Sequence, residues 1–144
     1  MIKVIFTEDM SLYRKGLRQF VGSREDIEVI GEAENGKALF DLLNFHTPDI
    51  ITLNIQMPIM DGLTALPLLK EKFSNIKILM ISMHNSAKVI RQCIELGANG
   101  YLTKSASSEE IYHSIRKLSK YRFLINKTVI EAFVETENES DITR

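Results

Sequence analysis

Short apolar runs alternate along this chain with longer segments in which apolar residues recur every three or four positions. The short runs, which are rich in Ile and Val, cover residues 2–6, 27–33, 49–54, 76–82 and 100–104. Their length and β-branched content predict five strands. The spacing of apolar residues in the segments between them predicts helices. Strands that alternate with helices indicate a parallel sheet with helices on both faces.

Polar residues at the predicted helix starts support this division. Four of them can accept a hydrogen bond from the first backbone amides of a helix: Ser11, Asn35, Ser107 and Asn126. The segment 62–73 also has a helical pattern, but it contains Pro67. Because proline lacks a backbone N–H, we expect a kink or a delayed helix start there.

The end of the chain departs from the alternation of strands and helices. Four apolar residues predict a short amphipathic helix there: Val129, Ile130, Phe133 and Val134. The acidic and polar residues 135–141 that follow are typical of a linker. We therefore expect one domain over residues 1–124, with a linker helix and an acidic linker over 125–144.

Composition and charge exclude several classes of function. The net charge is -1, which argues against nucleic-acid binding by this segment on its own. No apolar run approaches the roughly 18 residues of a membrane span, and the N-terminus lacks a signal peptide, so we expect no membrane partner. The single cysteine, Cys93, cannot form an internal disulfide, which suits a reducing compartment. We therefore expect a cytoplasmic protein.

Polar groups follow the predicted strands at their carboxyl ends, where parallel α/β sheets bind ligands. In chain order they are Glu8, Asp9, Asn54, the carbonyl of Gln56, Ser82 and Lys104. Two adjacent carboxylates are costly to hold together without a cation between them, and hard oxygen ligands suit Mg²⁺. A metal, an ammonium group and a hydroxyl group would together bind phosphoryl oxygens. The sequence therefore predicts a site for Mg²⁺ and a phosphoryl group.

The residue that ends the third strand lacks the chemistry that such a site needs. A carboxylate at position 54 could accept a phosphoryl group as an acyl phosphate. Asn54 instead carries a neutral carboxamide, which is not a competent nucleophile here. We therefore expect no covalent chemistry at this position.

These motifs together resemble the receiver domain of bacterial two-component response regulators, over about residues 2–120. The resemblance is carried by Glu8-Asp9 after the first strand, MPIMDG after the third, ISMHN after the fourth and GANGYLTKSA around the fifth. Within that family the chain is similar to regulators with a LuxR-type helix-turn-helix, in SLYRKGL, GANGYLTK and RFLI. The final ITR resembles the start of that DNA-binding domain, which this chain otherwise lacks.

The resemblance implies a flavodoxin-like, doubly wound five-stranded parallel sheet in the order 2-1-3-4-5, with five helices and a linker helix. It implies a signalling domain that is not an enzyme, with Mg²⁺ as its cofactor. The expected partners are a cognate sensor histidine kinase, a second receiver in a homodimer, and DNA only through the further C-terminal domain.

The resemblance also assigns roles to the residues at the strand ends. Glu8, Asp9, the Gln56 carbonyl and Asn54 would contact the metal, and Asn54 would be at the phosphoacceptor position. Lys104 and Ser82 would contact the phosphoryl group. Ser82 and Tyr101 would form the conformational switch, which moves inward when the acceptor is phosphorylated.

Three positions depart from the family pattern. Asn54 stands where the family has aspartate, Glu8 is a longer acid than the usual aspartate, and Ser105 follows Lys104 where many receivers have proline. The isomer of the Lys104–Ser105 peptide bond is therefore left open, since a cis bond without proline costs about 3 kcal/mol. We expect weak Mg²⁺ binding and an inactive arrangement in which Tyr101 is more exposed than in an activated form.

Three functions are compatible with these residues. The first is a receiver whose acceptor aspartate was replaced by engineering, so that phosphorylation is blocked. The second is a natural receiver-like interaction module that works without phosphorylation. The third is a Mg²⁺-dependent phosphatase-like enzyme on a similar sheet, against which Asn54 counts because such an enzyme also needs a strand-end aspartate.

Overall fold

The computed structural model describes the backbone of residues 1–142 and the side chains of residues 1–134. Over that part of the chain, five strands form one sheet: β1 (Ile2–Thr7), β2 (Ile27–Ala33), β3 (Ile50–Leu53), β4 (Lys77–Ser82) and β5 (Gly100–Thr103). All neighbouring strands are parallel, and their order is β2-β1-β3-β4-β5. The predicted doubly wound fold is confirmed.

Six helices complete the described part of the chain: α1 (Ser11–Gly22), α2 (Gly36–Leu43), α3 (Gly62–Lys72), α4 (Ala87–Glu95), α5 (Ser108–Lys120) and α6 (Lys127–Ile142). The last helix is longer than the sequence predicts. The acidic segment 135–141, which we expected to be a linker, continues the backbone of α6. Of the final ITR motif, residues 143–144 lie outside the described residues.

The sheet separates two apolar cores. On one face, α1 and α5 pack against alternate strand residues such as Val4 and Phe6. On the other face, α2, α3, α4 and α6 pack against the intervening residues such as Ile5. Neighbouring strand residues point to opposite faces because the side-chain period of a strand is two. Every residue of β3 is buried, as expected for a strand that helices cover on both sides.

Three of the four predicted helix caps are present. The side chains of Asn35, Ser107 and Asn126 each accept a hydrogen bond from the backbone amide three residues later. The prediction for Ser11 was wrong, because Ser11 is the first helical residue and Met10, which cannot cap through its side chain, precedes it. Pro67 lies inside α3 but does not delay its start, since the side chain of Asp61 caps that helix at Gly62.

The C-terminal helix α6 packs against α4 and β5. Its apolar face buries Val129 and Ala132. Asn126, at its start, donates a side-chain hydrogen bond of 3.0 Å to the carbonyl oxygen of Tyr101 in β5. Arg91 of α4 donates one of 3.0 Å to the carbonyl oxygen of Ala132. The surface formed by α4 and β5 is therefore covered by a segment of the same chain.

In the part of the chain that the structure describes, none of the helices is both long enough and apolar enough to cross a bilayer.

Candidate functional site

The carboxyl ends of β1 and β3 lie side by side and bring two polar segments together. The backbone amide of Asn54, directly after β3, donates to the carbonyl oxygen of Thr7 at 3.1 Å. Glu8 and Asp9 therefore leave the sheet next to Asn54. The turn at the start of α3 packs against the same segment: a Cβ on Gly62 would lie only 2.1 Å from the backbone oxygen of Asn54. Glycine at position 62 is what permits this close approach.

The Asn54 side chain is 6% exposed, and its amide group points at three oxygen atoms. Its nitrogen Nδ2 donates to Glu8 Oε2 at 3.2 Å, to Asp9 Oδ1 at 3.2 Å and to the carbonyl oxygen of Gln56 at 2.9 Å. These are three of the oxygen groups that the sequence predicts as metal contacts. The structure therefore brings this set together, with an amide nitrogen among the oxygens.

Lys104 follows β5 and pairs with the first of the two acids, Glu8. Its ammonium group is 2.6 Å from Glu8 Oε1, and both side chains are almost completely buried. It also lies 3.6 Å from the sulfur of Met10 and 4.8 Å from the centre of the Tyr13 ring. A cation over an aromatic face is attracted to the ring electrons. One acid, one thioether and one aromatic ring thus hold the lysine in place.

Burial raises the pKa values of two side chains at this site, Glu8 and Tyr13. Burial raises the pKa of Glu8, the neighbouring Asp9 adds to the rise, and the hydrogen bonds from Lys104 and from the Met10 amide oppose it. Burial, followed by the charge of Glu8, raises the pKa of Tyr13 to about 12. The phenol of Tyr13 therefore stays neutral, and its ring can act only as an apolar and cation-binding surface.

Ser82 and Tyr101 lie together at the ends of β4 and β5. Ser82 is buried, and its hydroxyl accepts from the backbone amide of His84 at 3.2 Å. The Tyr101 hydroxyl donates to the carbonyl oxygen of His84 at 2.6 Å. Burial raises the pKa of Tyr101 to about 12, and the Ser82 hydroxyl opposes that rise. The two proposed switch residues are thus linked through one loop residue.

The prediction of an inactive arrangement, with Tyr101 more exposed than in an activated form, was wrong. Its exposed fraction is 0%, and it belongs to the same apolar core as Val129 and Ala132 of α6. The physical reason is twofold: the phenol has an inward acceptor in the His84 carbonyl, and α6 covers the strand that carries the ring. The sequence could not reveal where α6 would dock.

Two further expectations concern the Lys104–Ser105 peptide bond and the metal site. The Lys104–Ser105 peptide bond, whose isomer the sequence left open, is trans, as are all the described peptide bonds. Among the described residues, no group of three or more His, Cys, Asp or Glu side chains is arranged to hold a metal ion. The acids of the predicted metal site number only two, Glu8 and Asp9, and a metal there would depend on neutral oxygens for the rest.

Sequence reasoning missed three residues that support the site. Arg14 donates to the backbone oxygen of Glu8 and also pairs with Glu32 at 3.0 Å, which fixes the acidic segment to α1 and β2. Met10 and Tyr13 surround Lys104. Their position in the sequence could have indicated this role, because the loop after Glu8-Asp9 and the first turn of α1 lie beside the carboxyl ends of the strands.

As an arrangement of charges, the site holds one closed ion pair and one further acid. Lys104 neutralises Glu8, and the Asn54 amide faces Asp9. There is no carboxylate at the end of β3 to form an acyl phosphate. The ends of β1 and β3 therefore present two acids and a carbonyl oxygen around a neutral amide, with Lys104 paired to Glu8.

Comparison with known sequences identifies relatives of this chain. A family profile described as the response regulator receiver domain matches residues 4–116. The chain is 34% identical over 139 residues to the transcriptional regulatory protein YdfI of Bacillus subtilis, covering 96% of this chain and 65% of YdfI. It is 31% identical over 119 residues to the response regulator protein VraR of Staphylococcus aureus, covering 83% of this chain and 57% of VraR. The chain thus spans about three fifths of the length of these relatives.

Solved structures share the same fold. A LuxR-family two-component response regulator from Aurantimonas sp. superposes with a TM-score of 0.86 at 24% identity, over 94% of this chain and 96% of that one. The receiver domain of the putative response regulator NarL from Mycobacterium tuberculosis superposes with a TM-score of 0.78 at 28% identity, over 83% of this chain and 96% of that one.

Proposed function

The chain belongs to the response regulator receiver domain family, and we propose that it is a phosphorelay receiver of a transcription regulator that cannot be phosphorylated at its acceptor position. Receiver domains are in general signalling domains rather than enzymes, which favours the signalling function over the phosphatase-like alternative. The observation that carries the proposal is the Asn54 carboxamide at the exit of β3, within hydrogen-bonding distance of Glu8, Asp9 and Gln56.

The site residues have distinct roles in this proposal. Asn54 occupies the acceptor position, and Glu8, Asp9 and the Gln56 carbonyl are the metal contacts beside it. Lys104 and Ser82 are the groups that would contact a phosphoryl group, and Ser82 is also part of the switch with Tyr101. The buried Ser82 and the Tyr101–His84 hydrogen bond support this division.

Receiver domains generally bind Mg²⁺ at the phosphorylation site, and we propose that this chain binds it only weakly. A site with Glu8, Asp9 and a carbonyl oxygen has the oxygen ligands that Mg²⁺ prefers. The neutral side chain of Asn54 removes one negative charge from the set.

The proposed partners follow from the relatives. YdfI is a transcriptional regulatory protein, and the Aurantimonas relative is a LuxR-family regulator. We propose residues 1–124 as the receiver domain and 125–144 as the linker toward a DNA-binding domain. A cognate sensor histidine kinase is the proposed upstream partner, and a second receiver is the proposed dimer partner. The proposed location is the cytoplasm.

Two origins of Asn54 fit this function. An introduced Asp-to-Asn change accounts for a site that retains its acids, its lysine and its hydroxyl. A natural receiver-like module that works without phosphorylation is favoured by the three hydrogen bonds of the Asn54 amide, because they leave no donor on this buried side chain unpaired.

The test is phosphorylation by a small donor. We expect no mass gain when the chain is incubated with acetyl phosphate and MgCl₂, and a gain of one phosphoryl group for Asn54→Asp, measured by intact-protein mass spectrometry. Gln19→Glu, which adds a carboxylate on the exposed side of α1, is the matched control and should stay unmodified.

Two other outcomes would contradict the proposal or distinguish the two origins of Asn54. A phosphoryl gain on the unchanged chain would contradict the proposal outright. Persistent inertness of Asn54→Asp, in a folded variant, would favour the natural module over a receiver with a single replaced residue.

A further inference from the structure

We propose that the carboxamide of Asn54 acts as an internal substitute for the metal cation, so that this site is held together without a metal. The inference rests on the proposed function, since it concerns the same acidic pair and the same acceptor position. It assigns to Asn54 a structural role that an aspartate could not perform.

The Asn54 amide points at the oxygens that would bind a metal. Its nitrogen carries two hydrogens and donates to one oxygen each of Glu8, Asp9 and Gln56, at 2.9–3.2 Å. A cation that bound the same oxygens would need the space between them, and the amide nitrogen lies there. An aspartate in this position would present an oxygen to the acids and would have no donor for them.

The Asn54 amide also balances the charge of the acidic pair. Lys104 lies 2.6 Å from Glu8 and neutralises it, while the partially positive amide hydrogens of Asn54 face the remaining acid, Asp9. An aspartate at position 54 would place a third carboxylate beside Glu8 and Asp9. Only Lys104 would then offset three negative charges, which is costly unless a cation enters. The amide removes that requirement.

The position of Asn54 is fixed by the residues around it. Its side chain is almost fully buried, and its backbone amide donates to the Thr7 carbonyl. The turn at the start of α3 approaches the Asn54 backbone so closely that a Cβ on Gly62 would overlap the backbone oxygen of Asn54. Mg²⁺ would have to displace the amide nitrogen and also compete with Lys104 for Glu8. The residues as arranged therefore leave no place for a tightly held metal, and Mg²⁺ can bind only weakly, in competition with these contacts.

The test compares stability with and without the metal. We would measure urea denaturation of the unchanged chain, Asn54→Asp, Asn54→Ala and the control Gln19→Glu, each with EDTA and with MgCl₂ at matched ionic strength. We expect the unchanged chain and Gln19→Glu to be equally stable in both buffers. In EDTA we expect the unfolding constant of Asn54→Asp to be about tenfold larger or more, with recovery in MgCl₂.

Asn54→Ala separates the donor role from the charge. It removes the amide without adding an acid, so we expect it to be destabilised in EDTA because three oxygens lose their donor. Its gain from MgCl₂ should exceed that of the unchanged chain.

Two outcomes would overturn the proposal. One is a stabilisation of the unchanged chain at the MgCl₂ concentration that restores half of the stability lost by Asn54→Asp. The other is a variant at position 54 that is as stable in EDTA as the unchanged chain. These readouts do not depend on phosphorylation: a chain that stays unphosphorylated but is stabilised at that MgCl₂ concentration contradicts this inference alone. A chain that takes up a phosphoryl group contradicts the proposed function instead.

Discussion

The hydroxyl of Tyr101 donates a hydrogen bond of 2.6 Å to the carbonyl oxygen of His84, and the tyrosine ring is completely buried. The bond joins β5 to the loop that follows β4. Ser82, which ends β4, accepts from the amide of the same His84. The loop after β4 is therefore held on both sides by the two residues that we propose as the switch.

Removing this phenol should weaken the domain measurably. We expect Tyr101→Phe to lose about 1 kcal/mol of unfolding free energy, because the ring stays while the His84 carbonyl loses its donor. Urea denaturation would measure the loss. Tyr121→Phe is the matched control, since Tyr121 is 66% exposed and should show no change. Equal effects of the two variants would contradict the assigned role of the hydrogen bond.

Asn126 should determine how firmly α6 stays docked. Its side chain caps α6 by accepting from the Val129 amide and also donates to the Tyr101 carbonyl. We expect Asn126→Ala to cost about 1–2 kcal/mol and to speed hydrogen exchange in the first turns of α6 by about fivefold to thirtyfold. Hydrogen exchange with mass spectrometry would measure this.

Lys127→Ala is the control for α6. Lys127 pairs with Glu131 at 3.7 Å, and both side chains are exposed, so exchange should change little. If the two variants exchange alike, Asn126 does not hold the helix.

Gly62 should tolerate no side chain. A Cβ there would lie 2.1 Å from the backbone oxygen of Asn54 and 3.0 Å from the Cα of Ile55. Both neighbours are backbone atoms that cannot rotate away. We expect Gly62→Ala to cost about 2–3 kcal/mol in urea denaturation. Gly16→Ala is the matched control, because nothing lies within 4 Å of its added carbon. That variant should gain about 0.5–1 kcal/mol, since alanine favours the helix.

Much of the fold could be predicted because its causes are local. The Ile- and Val-rich runs indicated the strands, and parallel strands place their carboxyl ends at one edge of the sheet. That geometry suffices to bring Glu8, Asp9 and Asn54 together before any contact is known. The caps at Asn35 and Ser107 were predictable for the same reason, since a capping side chain bonds an amide three residues away.

The features that could not be predicted depend on tertiary packing. From the sequence, Lys104 could have faced Asn54 or Glu8. It pairs with Glu8 because the Tyr13 ring lies against the lysine and because Asn54 lacks a negative charge. The burial of Tyr101 depends on where α6 docks. Sequence periodicity describes which face of α6 is apolar but not which surface receives it.

The contributions of Lys104 and Glu8 to the free energy of unfolding should be strongly coupled. Both side chains are nearly buried, so Lys104→Met leaves a buried carboxylate without its cation, and we expect a loss of about 3 kcal/mol. Adding Glu8→Gln removes that carboxylate and should recover part of the loss. A double-mutant cycle in urea would measure the coupling.

Lys88→Met serves as the control for the lysine change, because Lys88 is on the exposed side of α4. It should leave stability within about 0.5 kcal/mol of the unchanged chain. Strictly additive effects of the Lys104 and Glu8 changes would contradict the coupling.

Glu32 should give the domain a pH-dependent contribution to stability. Burial alone would raise the pKa of Glu32, but hydrogen bonds from Arg18 and Arg14 outweigh it and hold the pKa below the ordinary 4.5. A lowered pKa in the folded state means that the unfolded chain binds more protons in this range. The stabilisation is therefore fully present above pH 4.5 and is lost as the pH falls through the lower, folded-state pKa.

Replacing the Glu32 carboxylate should expose this dependence. We expect Glu32→Gln to cost about 1 kcal/mol at neutral pH, because both arginines lose their charged partner at a partly exposed site. The difference from the unchanged chain should shrink in acid, since protonation of Glu32 removes the same charge. Urea denaturation at about pH 7 and about pH 3, on either side of the ordinary carboxyl range, would measure it. The exposed Glu28→Gln is the control, and a cost of Glu32→Gln that is the same at both pH values would contradict the assignment.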